Sequence, residues 1–235
     1  MVIEARRTLP RSGLRKLYHL LLDKLQVLKI GRDKFNKILK ANNLLIQSTR
    51  SYHITTNSHH RFRKHKNLIA DTIPNKPNQI WVSDITYLGK RDSPLYLALV
   101  TDMYSKKIVG YNVSTSLSSK GATEALLMAI STIRSTTELN KYGIKTSMTE
   151  SYDPYANAIA ERINGILKQG FMLDQYHQSL PLMKKIVEET VNIYNNVRPH
   201  YSCYYKTPGW MHGQSEVKIK TYKRENHGKK LRAMI

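Results

Sequence analysis

Cysteine, acidic residues and long apolar runs are all scarce in this sequence of 235 residues. The single cysteine, Cys203, excludes a framework of intramolecular disulfides and fits a reducing compartment. No apolar run approaches the roughly 20 residues of a membrane-spanning helix. The charged start has no apolar stretch behind it, so we expect no secretory signal. We therefore expect a soluble cytoplasmic chain.

The shortage of acidic residues leaves the chain strongly basic. It contains 38 Lys and Arg against 17 Asp and Glu, a formal net charge of +21. A charge of this size favours an anionic partner, and nucleic acid is the usual one. On charge alone, a ribosomal or other basic structural protein and a membrane-surface binder remain alternatives. Because we favour nucleic acid, we expect the chain to be associated with the nucleoid and to have no membrane partner.

Residues 1–46 predict a small all-α region. Leucines recur at spacings of three and four, which places them on one helical face: Leu14, Leu17, Leu20, Leu21, Leu25 and Leu28. Gly31 ends this run, and a second short helix follows with Phe35, Ile38 and Leu39 facing inward. Its outward positions are largely basic and predict DNA contact: Arg32, Lys34, Lys37 and Lys40. The pattern is typical of a helix-turn-helix, although two-helix hairpins with basic surfaces are also common.

Residues 47–79 predict a basic linker. Apolar residues are sparse, Pro74 and Pro77 punctuate the segment, and its cations suit an arm that lies on DNA phosphates: Arg61, Arg63, Lys64 and Lys66. Four histidines also occur here, but no cysteine is near and their spacing matches no common zinc site. At the other end, residues 213–235 form a basic tail that either extends the DNA contact or is simply solvated.

Residues 80–212 predict a mixed α/β domain. Segments 80–87, 95–101 and 108–113 are rich in β-branched and aromatic residues and are joined by short turns, which favours an antiparallel meander. A helix over 115–134 follows, with its inward face at Ala122, Ala125, Leu126, Ala129, Ile130 and Ile133. A short strand over 144–148, a helix that begins near Asp153 and Pro154, and a long helix over 180–197 complete the domain.

Two carboxylates in this domain are candidates for chemistry. Asp84 lies within a strand, where a charged side chain needs a reason, although a solvated strand face is the plain alternative. Glu161 shares one helical face with Asn157, Asn164 and Lys168, which is also what an ordinary amphipathic helix would show.

Several motifs together resemble the IS3 family of insertion-sequence transposases. They are residues 31–35 (GRDKF), 81–87 (WVSDITY), 100–110 (VTDMYSKKIVG), 147–162 (SMTESYDPYANAIAER), 194–200 (YNNVRPH) and 205–208 (YKTP). They occur in the family's order and extend over nearly the whole chain.

The resemblance implies an RNase H-like integrase core that transfers phosphoryl groups at DNA ends. In this family three carboxylates hold two divalent ions, for which Mg²⁺ or Mn²⁺ is suited. Asp84 would be the first aspartate, Glu161 the helix-borne glutamate, and Asn157 a neighbouring polar residue that orients substrate or Glu161. Lys168, on the same face, would contact DNA. Asp102 matches a family position that is not usually a metal ligand.

The resemblance also implies three kinds of partner. They are double-stranded DNA at element ends and at the target, further copies of the chain on paired ends, and an upstream small helix-turn-helix protein that is often joined by frameshifting.

The chain departs from the family at the middle aspartate. Residues 131–137 run almost directly into residues 138–145, where family members carry a further strand end and helix. Asp84 and Glu161 are only 77 positions apart (161 − 84). Glu124 and Glu138 are the possible substitutes. We therefore expect a core that lacks one strand and has absent or very weak transposition activity; a non-catalytic DNA-binding regulator and a folding-incompetent product are the alternatives.

Overall fold

A computed structural model describes residues 1–47, 72–89, 93–133, 144–145 and 158–220. Within these ranges the chain forms eight α-helices and three β-strands. They are α1 (Val2–Thr8), α2 (Leu14–Leu20), α3 (Leu22–Val27), α4 (Arg32–Ala41), β1 (Trp81–Leu88), β2 (Leu95–Asp102), β3 (Ile108–Ser114), α5 (Ser119–Ser131), α6 (Ala158–Gly165), α7 (Leu180–Asn196) and α8 (Pro208–His212). None of these helices is long and apolar enough to cross a membrane.

The N-terminal helices enclose a small apolar cluster of their own. Its buried members are Leu17, Leu21, Leu25, Phe35 and Leu39. These residues belong to the predicted apolar faces, and the turn at Gly31 separates α3 from α4 as expected. The three-and-four spacing of leucines therefore identified most of this core correctly.

Three details of the predicted N-terminal region are wrong. The first predicted helix is interrupted at Leu21, whose backbone (φ −104°, ψ 13°) departs from helical values. Leu28 is 56% exposed and Ile38 is 37% exposed, although both were predicted to face inward. Periodicity alone cannot tell one long helix from two short helices with the same inward face, and it cannot tell how far the covering layer extends.

The three strands form an antiparallel sheet in the order β1-β2-β3, as predicted. Trp81 pairs with Asp102 at one end of the first ladder and Leu88 with Leu95 at the other, so that Asp84 lies opposite Leu99. Among the described residues β1 pairs only with β2 and forms an edge of the sheet.

Helix α5 covers one face of this sheet. Ala125 and Ala129 pack against Ala98, Val100 and Val109. The approach is close at Gly110 of β3, where an added Cβ atom would lie 2.0 Å from the carbonyl oxygen of Ala125. A small residue on each element therefore sets the distance between helix and sheet.

The predicted bounds and inward face of this helix need correction. It was expected over 115–134 with Leu126 inward, whereas α5 begins at Ser119 and Leu126 is 36% exposed. The serines before α5 account for the later start, because Ser114 Oγ donates to the Ser116 carbonyl at 2.9 Å and holds a turn. Short helix-breaking hydrogen bonds of this kind are not visible in apolar spacing.

The opposite face of the sheet is covered by α6 and α7. Leu97 and Leu99 of β2 contact a large apolar cluster that includes Ile163, Leu167 and Tyr194. A strand was predicted over 144–148. Its first two residues, Ile144 and Lys145, have no regular structure, and the other three lie outside the described residues. The predicted start of the next helix, near Asp153 and Pro154, also lies outside them, and α6 is described from Ala158.

Helix α7 spans Leu180–Asn196, one residue shorter than predicted, and its end is bonded to the sheet. The side chain of Asn195 accepts from the Ile108 N–H at 3.0 Å and donates to the Ile108 carbonyl at 2.9 Å. Tyr194 Oη donates to the Lys106 carbonyl at 3.0 Å. These two residues of the 194–200 motif therefore fix the start of β3.

The N-terminal helices contact the core domain directly. Leu9 is 2% exposed and belongs to the large core cluster. The Arg11 N–H donates to the Gly170 carbonyl at 3.2 Å, and His19 stacks on Tyr205 with ring centroids 3.8 Å apart. The two regions are thus joined by apolar, hydrogen-bonding and aromatic contacts.

Candidate active site

Asp84 lies near the middle of β1 and on the face of the sheet that α6 covers. Its Oδ2 atom accepts a hydrogen bond from Asn164 Nδ2 at 2.8 Å, and its Oδ1 atom accepts from the Ile85 N–H at 2.9 Å. The solvated strand face, left open by the sequence, is therefore wrong for this residue, because Asp84 is half-buried against α6.

The surroundings of Asp84 oppose its ionisation. Burial raises the pKa of this carboxyl group, the hydrogen bonds from Ile85 and Asn164 lower it in part, and the negative charge of Glu161 raises it again. The effect of Glu161 means that the two carboxylates lie within electrostatic reach of each other. The structure thus brings together the two acids that the sequence singled out 77 positions apart (161 − 84).

Glu161 is exposed in the first turn of α6, and Asn164 follows one turn later on the same side. Asn157, the third predicted site residue, lies outside the described residues. Asn164 was recognised as part of this polar face but not as a site residue. Its position three residues after Glu161 is the signal that could have identified it.

Asn164 has one atom without a hydrogen-bond partner. The residue is 5% exposed, its Nδ2 atom donates to Asp84, and its Oδ1 atom has no partner within the described residues. A buried amide oxygen in this state is costly unless something donates to it or coordinates it. Together with the two carboxylates it forms a set of hard oxygen donors of the kind that Mg²⁺ and Mn²⁺ prefer.

The described residues place no third acidic ligand beside this pair. Within the described part of the chain no three His, Cys, Asp or Glu residues are grouped so that they could hold a metal ion. The sequence has no aspartate between Asp102 and Asp153. Glu124 is exposed, accepts from Asn112 and lies 4.0 Å from Lys120, while Glu138 lies outside the described residues.

Asp102 is a buried carboxylate whose hydrogen bonds hold the local backbone. It is fully buried at the end of β2, where it accepts from the N–H groups of Asn78 and Ser105, each at 2.7 Å, and from Ser105 Oγ at 2.6 Å. Burial alone would raise the pKa of Asp102, but the hydrogen bonds from His212, Ser105 and Asn78 outweigh it, so the pKa lies below its usual value. This carboxylate holds the turn between β2 and β3.

The predicted DNA contacts fall into three groups. All four basic residues predicted on α4 are exposed: Arg32, Lys34, Lys37 and Lys40. Lys168 is half-buried, with its Nζ atom 4.1 Å from the centroid of the Tyr87 ring, and burial lowers its pKa. The predicted cations of the linker lie outside the described residues: Arg61, Arg63, Lys64 and Lys66.

The core matches family models over most of its length. Residues 74–140 match one model of an integrase core domain, and residues 142–208 match a second model with the same description. The two matches meet at residue 141, inside the stretch from which a strand and a helix are expected to be missing.

The chain is also similar to proteins encoded by insertion sequences. It is 29% identical over 192 residues to an uncharacterised 31 kDa protein of insertion element IS600 from Shigella sonnei, a match that covers 73% of this chain and 71% of that protein. It is 26% identical over 186 residues to the transposase InsF of insertion sequence IS3fB from Escherichia coli. This second match covers 70% of the chain and 65% of the relative, so part of each relative has no counterpart here.

A solved structure shares the fold. The chain aligns with a protein of the simian T-cell lymphotropic virus intasome with a TM-score of 0.50 and 17% identity, covering 95% of this chain and 78% of that one. The predicted α/β class and RNase H-like integrase core are thereby confirmed, whereas the helix-turn-helix character of the N-terminal region and the missing strand stay predictions.

Proposed function

Because this chain belongs to the insertion-sequence transposases with an integrase core, we propose that it binds DNA as those proteins do but joins DNA strands weakly or not at all. The observation that carries this proposal is the incomplete acidic site, in which Asp84 and Glu161 lie together without a described third carboxylate. DNA binding depends on other surfaces and does not need the missing acid.

The donor set suits one divalent ion better than two. Two carboxylates and the neutral Asn164 amide offer less negative charge than three carboxylates, so they offset the repulsion between two bound ions less well. When bound, Mg²⁺ or Mn²⁺ would polarise a phosphate oxygen and so lower the barrier to nucleophilic attack on the phosphorus atom. In an in-line displacement one oxygen attacks the phosphorus atom and another leaves it. An arrangement that lacks the second ion would stabilise only one of these two oxygens.

The side chains of the site have separable roles in this proposal. Asp84 and Glu161 would bind the ion. Asn164 would act as a positioning residue, because its Nδ2 atom holds Asp84 at 2.8 Å and its Oδ1 atom remains available within the described site. Asn157 would lie one turn before Glu161 and orient the substrate or that glutamate.

DNA binding would use the basic surfaces outside the acidic site. In the proposed domain arrangement, residues 1–46 read DNA with the exposed cations of α4, residues 47–79 lie on phosphates, residues 80–212 form the core, and residues 213–235 extend the contact. The net charge of +21 supports a phosphate-dominated interaction. Assembly of several copies on paired DNA ends, and cooperation with a small helix-turn-helix protein, belong to the same proposal.

The test is a strand-cleavage and strand-transfer assay on a supercoiled plasmid with Mg²⁺ or Mn²⁺. Asp84→Ala and Glu161→Ala serve as matched controls, and binding of the same DNA is measured in parallel. We expect DNA binding by all three proteins and no cleavage or joining by the natural chain above that of the two variants. Metal-dependent joining that both substitutions abolish would contradict the loss of catalysis, whereas absence of DNA binding would contradict the other half of the proposal.

A further inference from the structure

A basic cleft separates the start of α2 from the end of the 194–200 motif. Its volume is about 560 Å³, and one wall comes from the N-terminal helices while the other comes from α6 and the segment after α7. The residues that line it are Gly13, Leu14, Arg15, Lys16, Arg162, Ile166, Arg198, His200, Tyr201 and Tyr205. None of them was predicted to bind DNA from the sequence.

Four cations share this cleft, and no acidic side chain is among its described lining residues. Lys16 lies within electrostatic reach of two of the other cations. Its pKa is lowered to about 8, first by burial and then by the positive charges of Arg198 and Arg162. Like charges held together repel one another, and an anion between them would remove that cost.

His200 adds an uncharged hydrogen-bond donor to the same cleft. Burial, followed by the charges of Arg198 and Lys106, lowers its pKa to about 3, so the imidazole is neutral at physiological pH. Its Nδ1 atom accepts from the Ser202 N–H at 3.3 Å. In the neutral ring the proton therefore resides on Nε2, which has the chemistry of a donor.

Both walls of the cleft are anchored to the core. The Arg198 N–H donates to the Ile193 carbonyl at 2.9 Å, and the Arg198 guanidinium lies 5.7 Å from the centroid of the buried Tyr194 ring. The opposite wall is held by Leu9 in the core cluster and by the stacking of His19 on Tyr205. The cations are thus pre-positioned, which reduces the entropy lost when a ligand binds.

We propose that this cleft binds the phosphodiester backbone of DNA, as a contact separate from the acidic site and from α4. Arg15, Lys16 and Arg162 suit a phosphate, which guanidinium groups can hold through two parallel hydrogen bonds, and no acidic side chain lies among the described lining residues of the cleft. Arg162 follows Glu161 on α6, so the cleft and the acidic site occupy neighbouring sides of one helix. The inference rests on the proposed function, since it assumes that the chain binds DNA.

The test compares two pairs of substitutions in the full chain. Lys16→Gln with Arg162→Gln removes two charges from the cleft, and Lys184→Gln with Lys185→Gln removes two exposed charges from α7. Binding of a fluorescein-labelled 30-base-pair duplex is followed by fluorescence anisotropy over a salt series. We expect the cleft pair to weaken binding by about tenfold or more and to reduce the slope of log K against log salt by up to about 1.8, or roughly 0.9 per lost phosphate contact.

The outcomes separate this inference from the proposed function. If the natural chain binds the duplex and the cleft pair loses no more affinity than the α7 pair, the inference is overturned while DNA binding stands. If the natural chain binds inorganic tripolyphosphate through Lys16 and Arg162 but does not bind the duplex, the cleft holds a small anion and both the DNA assignment and the proposed function fail.

A measurement on the natural chain covers the case in which the cleft pair does not fold. The lowered pKa of Lys16 leaves a large share of its amine unprotonated at pH 8, so acetic anhydride should label it at that pH. Bound duplex should suppress labelling of Lys16 while that of Lys184 changes little. Equal labelling of Lys16 with and without duplex would overturn the inference.

Discussion

Asp84 shows at the scale of one residue how an acidic site conflicts with stability. A carboxyl group that is half-buried beside a second carboxylate ionises less readily than an exposed one, as its raised pKa indicates. The hydrogen bond from Asn164 offsets part of this cost. Retention of such a group is expected where it once bound, or still binds, a cation.

We predict that Asp84→Asn stabilises the fold at neutral pH. The folded-state pKa of Asp84 lies above the unfolded value, so its contribution to stability is greatest below about pH 3.8 and falls as pH rises through the folded pKa. At pH 7.5 the variant should melt a few degrees higher than the natural chain, which corresponds to about 1 kcal/mol or less in the free energy of unfolding. At pH 4 its melting temperature should rise little. Thermal unfolding at the two pH values checks this.

Asp23→Asn is the matched control, because Asp23 is exposed on α3. Its removal should not raise the melting temperature at either pH. A loss of stability in Asp84→Asn at pH 7.5 would mean that the carboxylate is better solvated or better paired than the structure indicates.

At the scale of elements, the packing of α5 on the sheet depends on Gly110. A Cβ atom there would lie 2.0 Å from the Ala125 carbonyl oxygen and 2.9 Å from the Ala129 nitrogen, and both are backbone atoms that cannot rotate away. We predict that Gly110→Ala destabilises the protein by at least about 2 kcal/mol, measured by urea unfolding. Gly165→Ala is the control, since that helical position has nothing within 4 Å and should be neutral or slightly stabilising.

Helix α4 allows a second prediction at this scale. Replacing its four exposed cations with glutamine (Arg32→Gln, Lys34→Gln, Lys37→Gln, Lys40→Gln) should weaken binding to duplex DNA and reduce its salt dependence, since each lost phosphate contact removes about 0.9 from the slope. The control carries four glutamines at other exposed lysines: Lys24, Lys120, Lys184 and Lys185. Equal effects of the two variants would show that α4 contributes only through overall charge.

The elements also show how far the sequence can predict this structure. Strands β1 to β3 and helix α7 were predicted within one or two residues, because β-branched runs and long apolar periodicity act locally. The interruption at Leu21, the exposure of Ile38 and Leu126, and the late start of α5 depend on turns and on the extent of the neighbouring layer. Patterns along one segment do not contain that information.

The candidate site was predictable only in part for a similar reason. Asp84 and Glu161 were identified through motifs, whereas Asn164 becomes a site residue only when α6 packs on β1 and its amide meets Asp84. The basic cleft is less visible still, since Lys16, Arg162 and Arg198 are far apart in the chain and are brought together by the docking of the N-terminal helices on the core.

At the scale of the whole molecule, the chain combines extensive positive charge with an acidic site in which the described residues supply only two carboxylates, Asp84 and Glu161. The net charge of +21, the exposed cations of α4 and the basic cleft all favour binding to DNA phosphates. Chemistry on that DNA would need the two-ion arrangement that three carboxylates support. The central claim of the proposed function is therefore that the molecule binds DNA through these surfaces and has lost one metal position.

The most direct test of that claim is the number of Mn²⁺ ions bound per chain in the presence of duplex DNA, counted by electron paramagnetic resonance. Duplex alone and the Asp84→Ala variant with duplex provide the background. We predict at most one ion per chain above this background, without magnetic coupling between ions. Two coupled ions per chain, both lost in Asp84→Ala, would show that a third ligand completes the site and would contradict the account.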